Sequence, residues 1–424
     1  MLLAIVLAAA SAIAIHLPVT TNSPQAQAAV DRGLFLYYAF NGEAAAKAFA
    51  QAAEADPRLA MAYWGIALAD GPDLNTPITE QRFDDGAAAI AKAATLVATA
   101  SPSDRRYVET MALRYRGRFS DFAADDAAYR SAMLEFARSS NDENAELLAA
   151  EALLEFGGPR WLNGAPASDD SRTALELVTA VLRDDRGNVM ANHLCIHIYD
   201  LAPDRAPARP CAQRLDADAF PPEAEHLAHM PAHYWIETGD YAAALASSER
   251  AYELIVADGG KPERYLQHDV SVGYAAAMML GDYGVAQLWA GRMTAVSGSD
   301  FGPITALRFG RYDQAYAAAT DAFASASVRG IAALHLGKIA EARALAAQLP
   351  PGGNGYMEPL FRAQLAESEG KYDDAERWIE VARARQRAQF EGENIPLFPA
   401  DEALRDLRQC EGTPAQTCAT PFFE

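Results

Sequence analysis

Six histidines fall between residues 193 and 268 of this 424-residue chain: His193, His197, His226, His229, His233 and His268. The chain has eight in all, so random scatter would not readily crowd six into that interval. Neutral imidazole is a common ligand for Zn, Cu and Fe. Spacing suggests which of the six can act together. His193 and His197 are four apart and would share one face of a helix. Asp200 continues that stripe and is a candidate oxygen ligand or orienting partner. Cys195, two residues from either histidine, faces the other way and is excluded as a co-ligand. His226, His229 and His233 would lie along a narrow arc of one helix, except that Pro231 stands among them. Proline has no N–H to donate and its ring crowds the carbonyl four residues back, so a kink or a helix start is expected there. His268 opens another helix about one repeat later and is the natural extra ligand. The chemistry implied is a Cu, Fe or Zn site, or a metal-free acid–base or hydrogen-bonded site. Outside the cluster, His335 in Leu334-His335-Leu336 reads as a structural residue.

The elements that must position these side chains are helices. Apolar residues recur with helical spacing from Ala89 to Val97, Tyr107 to Leu113, Tyr129 to Phe136, Ala145 to Phe156 and Ala174 to Leu182. No stretch alternates with period two for long enough to predict a strand. A turn pattern Gly-x-[Tyr/Ile]-x-x-Ala recurs at Gly239, Gly281, Gly310, Gly337 and Gly370. The intervals scatter around the roughly 34-residue period of tetratricopeptide repeats. Glycine supplies the positive φ between two antiparallel helices, and alanine lets their backbones approach. An early unit fits the same scheme: Leu34 to Phe40, a turn at Asn41-Gly42, then Ala44 to Ala55. Ninety-two alanines among 424 residues suit such helix crossings and disfavour β architectures. Longer breaks are expected at Asp70–Gln81, Gly157–Asp170 and Leu201–Pro222. The fold class expected is all-α, a tetratricopeptide-like α-solenoid of stacked antiparallel helix pairs.

Charge and the termini bound the compartment and the partners. Thirty-six Lys and Arg against 57 Asp and Glu give a net charge of −21. Nucleic acid is thereby disfavoured, since phosphates require clustered cations. Leu2 to Ile15 is an apolar run, and Ala26-Gln27-Ala28 offers a small-x-small cleavage pattern. Residues 1–28 read as a secretory signal peptide, which predicts a periplasmic or secreted protein with no membrane span after its removal. The chain has four cysteines, Cys195, Cys211, Cys410 and Cys418. In an exported protein they suggest disulfides, the local pairings Cys195–Cys211 and Cys410–Cys418 being preferred. The expected organisation is a signal peptide (1–28), degenerate repeats (29–190), a His-rich centre (191–295), further repeats (296–408) and a tail with a possible disulfide (409–424).

The segments His193/His197, then His226-Leu-Ala-His229-Met230-Pro231-Ala-His233, then Gly239-Asp240-Tyr241 together resemble a family of bacterial tetratricopeptide-like proteins. The likeness runs from about residue 30 to 295 and includes the Trp64-Gly65 helix, with Tyr356-Met-Glu358-Pro359 beyond it. It implies the repeat fold and a histidine site but no substrate. This chain departs from the family at Asp200, where relatives tend to carry Glu, and at Ser271, where they carry a further His. Phosphate-binding glycine loops, a GxSxG elbow, His-Glu-x-x-His and CxxCH are all missing from the sequence. Two functional readings remain. One is a metal-binding protein, which extends to a metal-dependent enzyme. The other is a scaffold whose concave groove holds a peptide, a partner protein or a small molecule, with the histidines structural.

Overall fold

The computed structural model describes residues 15–155, 161–162, 165–200, 202–259, 266–319, 325–349, 355–389 and 396–404. The chain forms two compact units. The first comprises residues 1–231 with 253–259, the second 232–252 with 260–424. The helices, in chain order, are α1 (Pro24–Tyr38), α2 (Gly42–Ala55), α3 (Ala60–Ala69), α4 (Glu80–Leu96), α5 (Pro102–Arg114), α6 (Phe122–Ser139), α7 (Glu143–Leu154), α8 (Asp169–Asp184), α9 (Val189–Tyr199) and α10 (Arg209–Ala217). They continue as α11 (Glu225–Glu237), α12 (Tyr241–Ala257), α13 (Leu266–Leu280), α14 (Tyr283–Ser297), α15 (Gly302–Arg308), α16 (Tyr312–Ala318), α17 (Ser325–His335), α18 (Ile339–Gln348), α19 (Met357–Ser368) and α20 (Tyr372–Gln389).

In the first unit each helix from α1 to α10 packs on the next, and alternate helices also touch, α1 with α3 and α3 with α5. The second unit repeats the arrangement, α15 with α17 and α17 with α19. Stacked antiparallel pairs of this kind are what an all-α, tetratricopeptide-like fold requires. Local chemistry explains the joints. Gly239, Gly281, Gly310, Gly337 and Gly370 all have φ between 66° and 84°. At Gly239 the N–H donates to Ile236 and the next N–H, of Asp240, reaches back to Trp235. The same pair of hydrogen bonds closes α15, from the Gly310 N–H to Leu307 and from the Arg311 N–H to Ala306. Helix crossings are as tight as the alanine content implies: a Cβ added to Gly65 on α3 would lie 2.1 Å from the Phe49 ring on α2.

The structure differs from the sequence reading in several places. The break expected at Leu201–Pro222 contains α10, preceded by a 3₁₀ turn at Ala206–Ala208. Its prolines sit in the first turns, where a missing N–H costs no intrahelical bond. The break at Gly157–Asp170 holds a two-residue antiparallel ribbon, Trp161–Leu162 with Ala165–Pro166. Pro231 does not begin a helix: it stands inside α11, which runs from Glu225 to Glu237. At the first helix pair the positive φ belongs to Phe40 (56°), not to Gly42. Gly42 opens α2 instead, and a Cβ there would lie 2.9 Å from the Ala69 carbonyl oxygen.

Residues 15–28 are packed into the first unit. Leu17 and Ala26 are buried, the Leu17 N–H donates to Asp31 (3.0 Å), and Ser23 caps α1 by accepting from the Ala26 N–H. Cleavage after Ala28 would therefore cut within α1. Residues 1–14 of the expected signal peptide, and both Cys410 and Cys418, lie outside the described residues. Among the described residues, no helix is long and apolar enough to cross a membrane.

Candidate metal centre

Asn188 starts α9 by accepting a hydrogen bond from the Ala191 N–H. The helix is buried nearly all round, as its sequence Val-Met-Ala-Asn-His-Leu-Cys-Ile-His-Ile-Tyr allows. On one face, one turn apart, stand His193 and His197, both buried. On the opposite face Cys195 is bonded to Cys211 of α10, with Cα atoms 6.4 Å apart. That disulfide ties α9 to α10, removes Cys195 from ligation and matches the preferred local pairing.

His226, at the start of α11, completes a trio with His193 and His197. One ligating nitrogen from each lies within 4.8 Å of the other two. His193 Nε2 and His197 Nε2 stand 3.1 Å apart. Two nitrogens bound tetrahedrally to one ion at roughly 2.1 Å would stand about 3.4 Å apart. The separation of this pair is thus near that of two ligands of one metal. Tautomer follows from the other nitrogen. His193 Nδ1 is 2.9 Å from the Tyr38 carbonyl oxygen, which can only accept, so Nδ1 carries the proton. The Nε2 lone pair of neutral His193 is then directed at the other two rings. A ligating histidine characteristically donates its second N–H in this way.

The C-terminal turn of α1 furnishes both that carbonyl and an aromatic wall. Phe40 is buried, its ring centroid 4.4 Å from that of His193, 5.4 Å from His226 and 5.7 Å from His197. The rings of His226 and His197 lie nearly parallel to it, at 21° and 20°. Phe40 is the one non-glycine residue with positive φ among the described residues. For an L-residue with a Cβ that conformation costs roughly 1–2 kcal/mol. Neither Tyr38 nor Phe40 was singled out from the sequence as part of a site. A signal was present: Phe40-Asn41 occupies the register that Gly-Asp, Gly-Arg or Gly-Lys holds in the later turns.

His229 is buried next along α11, with its ring 6.1 Å from that of His226. In the second unit His233 and His268 form a pair, their Nε2 atoms 3.2 Å apart and their rings stacked at 20°. Asp200 is buried as the C-cap residue of α9 and stands outside the three-nitrogen group. His335 stacks face to face on Tyr312, with centroids 4.0 Å apart at 1°, and burial pushes its imidazole down to about 4. This is the structural role read from its neighbours.

A polar network continues from the same turn of α1. The Tyr37 hydroxyl donates to Glu151 of α7 at 2.8 Å. Arg114 of α5, fully buried, donates to Asp126 (2.8 Å) and Glu155 (2.7 Å), and its guanidinium lies 3.9 Å from the Tyr129 ring centre. Burial, and then the neighbouring Glu155, push Glu151 well above the usual carboxylate range. Burial raises Glu155 to about 7, against the opposing pull of Arg114. Asp125 and Asp126 are both buried, with Asp125 held by Arg116 at 2.6 Å.

No family model matches the chain, and no curated protein matches it. Among solved structures it is similar to the TPR domain of P58(IPK), with a TM-score of 0.22 and 14% identity over 92% of this chain and 99% of that one. It is also similar to yeast Tom70, with a TM-score of 0.25 and 11% identity over 92% and 97% of the two chains. A third is the Naa15/Naa10 structure bound to HypK-THB, with a TM-score of 0.25 and 14% identity over 93% and 65%.

Proposed function

We propose that this chain is an exported helical-repeat protein that binds a Cu, Fe or Zn ion through His193, His197 and His226. The observation that carries the reading is the convergence of three buried imidazoles, each offering a nitrogen within 4.8 Å of the others. A tautomer-fixing bond from His193 to the Tyr38 carbonyl supports it. The His229 ring, 6.1 Å from that of His226, is a further candidate. His233, His268 and Asp200 remain candidates for a second set. When bound, such an ion supplies Lewis acidity. The residues themselves orient the nitrogens and exclude water from one side. Turnover is not part of the proposal. Export is supported by the disulfide, since such bonds persist in oxidising compartments.

The alternative is a scaffold that binds a peptide or partner protein, which the repeat fold itself supports. Elemental analysis separates the two. Untagged protein, reconstituted with Cu, Fe and Zn salts in turn, is expected to retain one ion near 1:1. His193→Ala and His226→Ala are expected to lose it while keeping helical content. Wild-type protein that retains no metal from any of the three salts would leave the scaffold reading in its place.

A further inference from the structure

The turn between α1 and α2 has the same hydrogen bonding as the glycine turns of later repeats. The Phe40 N–H donates to Tyr37 and the Asn41 N–H to Leu36, as Gly239 does to Ile236 and Asp240 to Trp235. Five later turns put glycine at that position, with φ between 66° and 84°. Glycine adopts the left-handed region without strain, and asparagine tolerates it. The turn itself therefore gives no reason for a phenylalanine.

The reason lies in what the ring touches. Its three imidazole neighbours are the three whose nitrogens converge. The χ2 torsion of histidine is broad and roughly two-fold, so an imidazole needs an external clamp to hold one orientation. His193 has the Tyr38 carbonyl. His197 and His226 have the face of Phe40, nearly parallel to both. One ring, held by a strained turn, thus constrains three prospective ligands.

We propose that Phe40 is a positioning residue of the histidine site, retained in a left-handed turn because its ring fixes the imidazoles for one ion. This inference rests on the metal-binding reading above. The test uses the untagged full chain, with Zn²⁺ titrated against a chromophoric chelator and the visible spectrum of the Co²⁺ form recorded. Phe40→Asn relieves the turn and removes the ring. Phe40→Tyr keeps the ring. Phe136→Leu removes a comparable buried ring that packs on Tyr107, 4.7 Å away. The expected result is a Zn²⁺ affinity about 10- to 100-fold weaker in Phe40→Asn, the range seen when groups supporting metal ligands are lost. Its Co²⁺ spectrum should change, while Phe40→Tyr and Phe136→Leu stay close to wild type. If Phe40→Asn does not fold, Phe40→Leu takes its place in the same comparison. Wild-type affinity and an unchanged Co²⁺ spectrum in the ring-less variant would overturn the inference and leave the metal reading standing. A wild-type chain that binds neither ion would overturn both.

Discussion

His193 donates its Nδ1 proton to the backbone carbonyl of Tyr38, across 155 positions of sequence and between the first and ninth helices. A main-chain acceptor cannot be removed by a side-chain substitution, so this orientation persists when residue 38 is changed. The histidine Nε2 is thereby kept as a lone pair facing His197.

That arrangement predicts how metal binding responds to pH and to mutation. Imidazoles must be neutral to ligate, so affinity falls as pH is lowered and binding of the ion releases protons. Calorimetric titration in two buffers of different ionisation enthalpy measures the number released below neutrality. His197→Ala should weaken binding by more than about 100-fold, beyond what support residues cost. His335→Ala should leave affinity unchanged.

Arg114→Met should destabilise the first unit by about 3–5 kcal/mol, because it leaves Glu155 a buried carboxylate without its cation and Asp126 with only Arg130, 3.6 Å away. The loss should depend on pH in a defined direction. Glu155 is raised from its usual 4.5 to about 7 in the folded chain. A carboxyl raised on folding contributes stability that is complete below 4.5 and is lost as pH rises through about 7. Denaturant titrations of the variant should therefore show a smaller deficit at pH 5 than at pH 8. An equal deficit at both would contradict a buried, partly protonated network.

His335 gives the opposite sign. Its imidazole falls from an ordinary 6.5 to about 4 because it is buried against Tyr312. A base depressed on folding contributes stability that is present above about 6.5 and lost as pH falls towards about 4. His335→Phe keeps the stacked ring without the titrating group. It should flatten the acid limb of the melting temperature over that interval, as read by circular dichroism.

The packed segment from Ile15 to Ala28 predicts where an exported form is processed. Cleavage after Ala28 would remove Ser23, which caps α1, together with buried Leu17 and Ala26. The sequence Ala12-Ile13-Ala14 offers a small-x-small alternative ahead of the packed segment. Intact-mass measurement of protein recovered from the periplasm should place the first residue at Ile15. A first residue at Ala29 would show that α1 tolerates the loss of its first turn.

Much of the architecture was legible because its determinants are local. Gly239-Asp-Tyr241 and its four later counterparts state the turn, its left-handed residue and the next helix within three positions. The i, i+4 spacing of His193 and His197 likewise needs only a helix to place both on one face. What could not be read is the partner surface. Tyr38 and Phe40 lie far from the histidines in sequence, and only the packing of α1 on α9 joins them. The glycine of Asn41-Gly42 drew the positive φ in the sequence reading because glycine is the usual occupant. The structure gives that conformation to its aromatic neighbour, where tertiary contact outweighs local preference. Helix α10 was hidden for the converse reason, since Pro207 and Pro210 read as breakers when they are in fact helix openers.

For the proposed metal site, the Cys195–Cys211 bond would also set an order of assembly. In the newly made, reduced chain a thiol lies midway between His193 and His197, with no folded helix to turn it away. Thiolates are softer ligands than imidazoles and compete strongly for Cu(I) and Zn. An ion that arrives early would find a Cys–His chelate made from the wrong atoms. Oxidation retires both sulfurs in a single step, after which imidazoles alone remain on the facing side of the helix. Correct loading would then belong to whichever compartment oxidises the chain first and supplies the ion second.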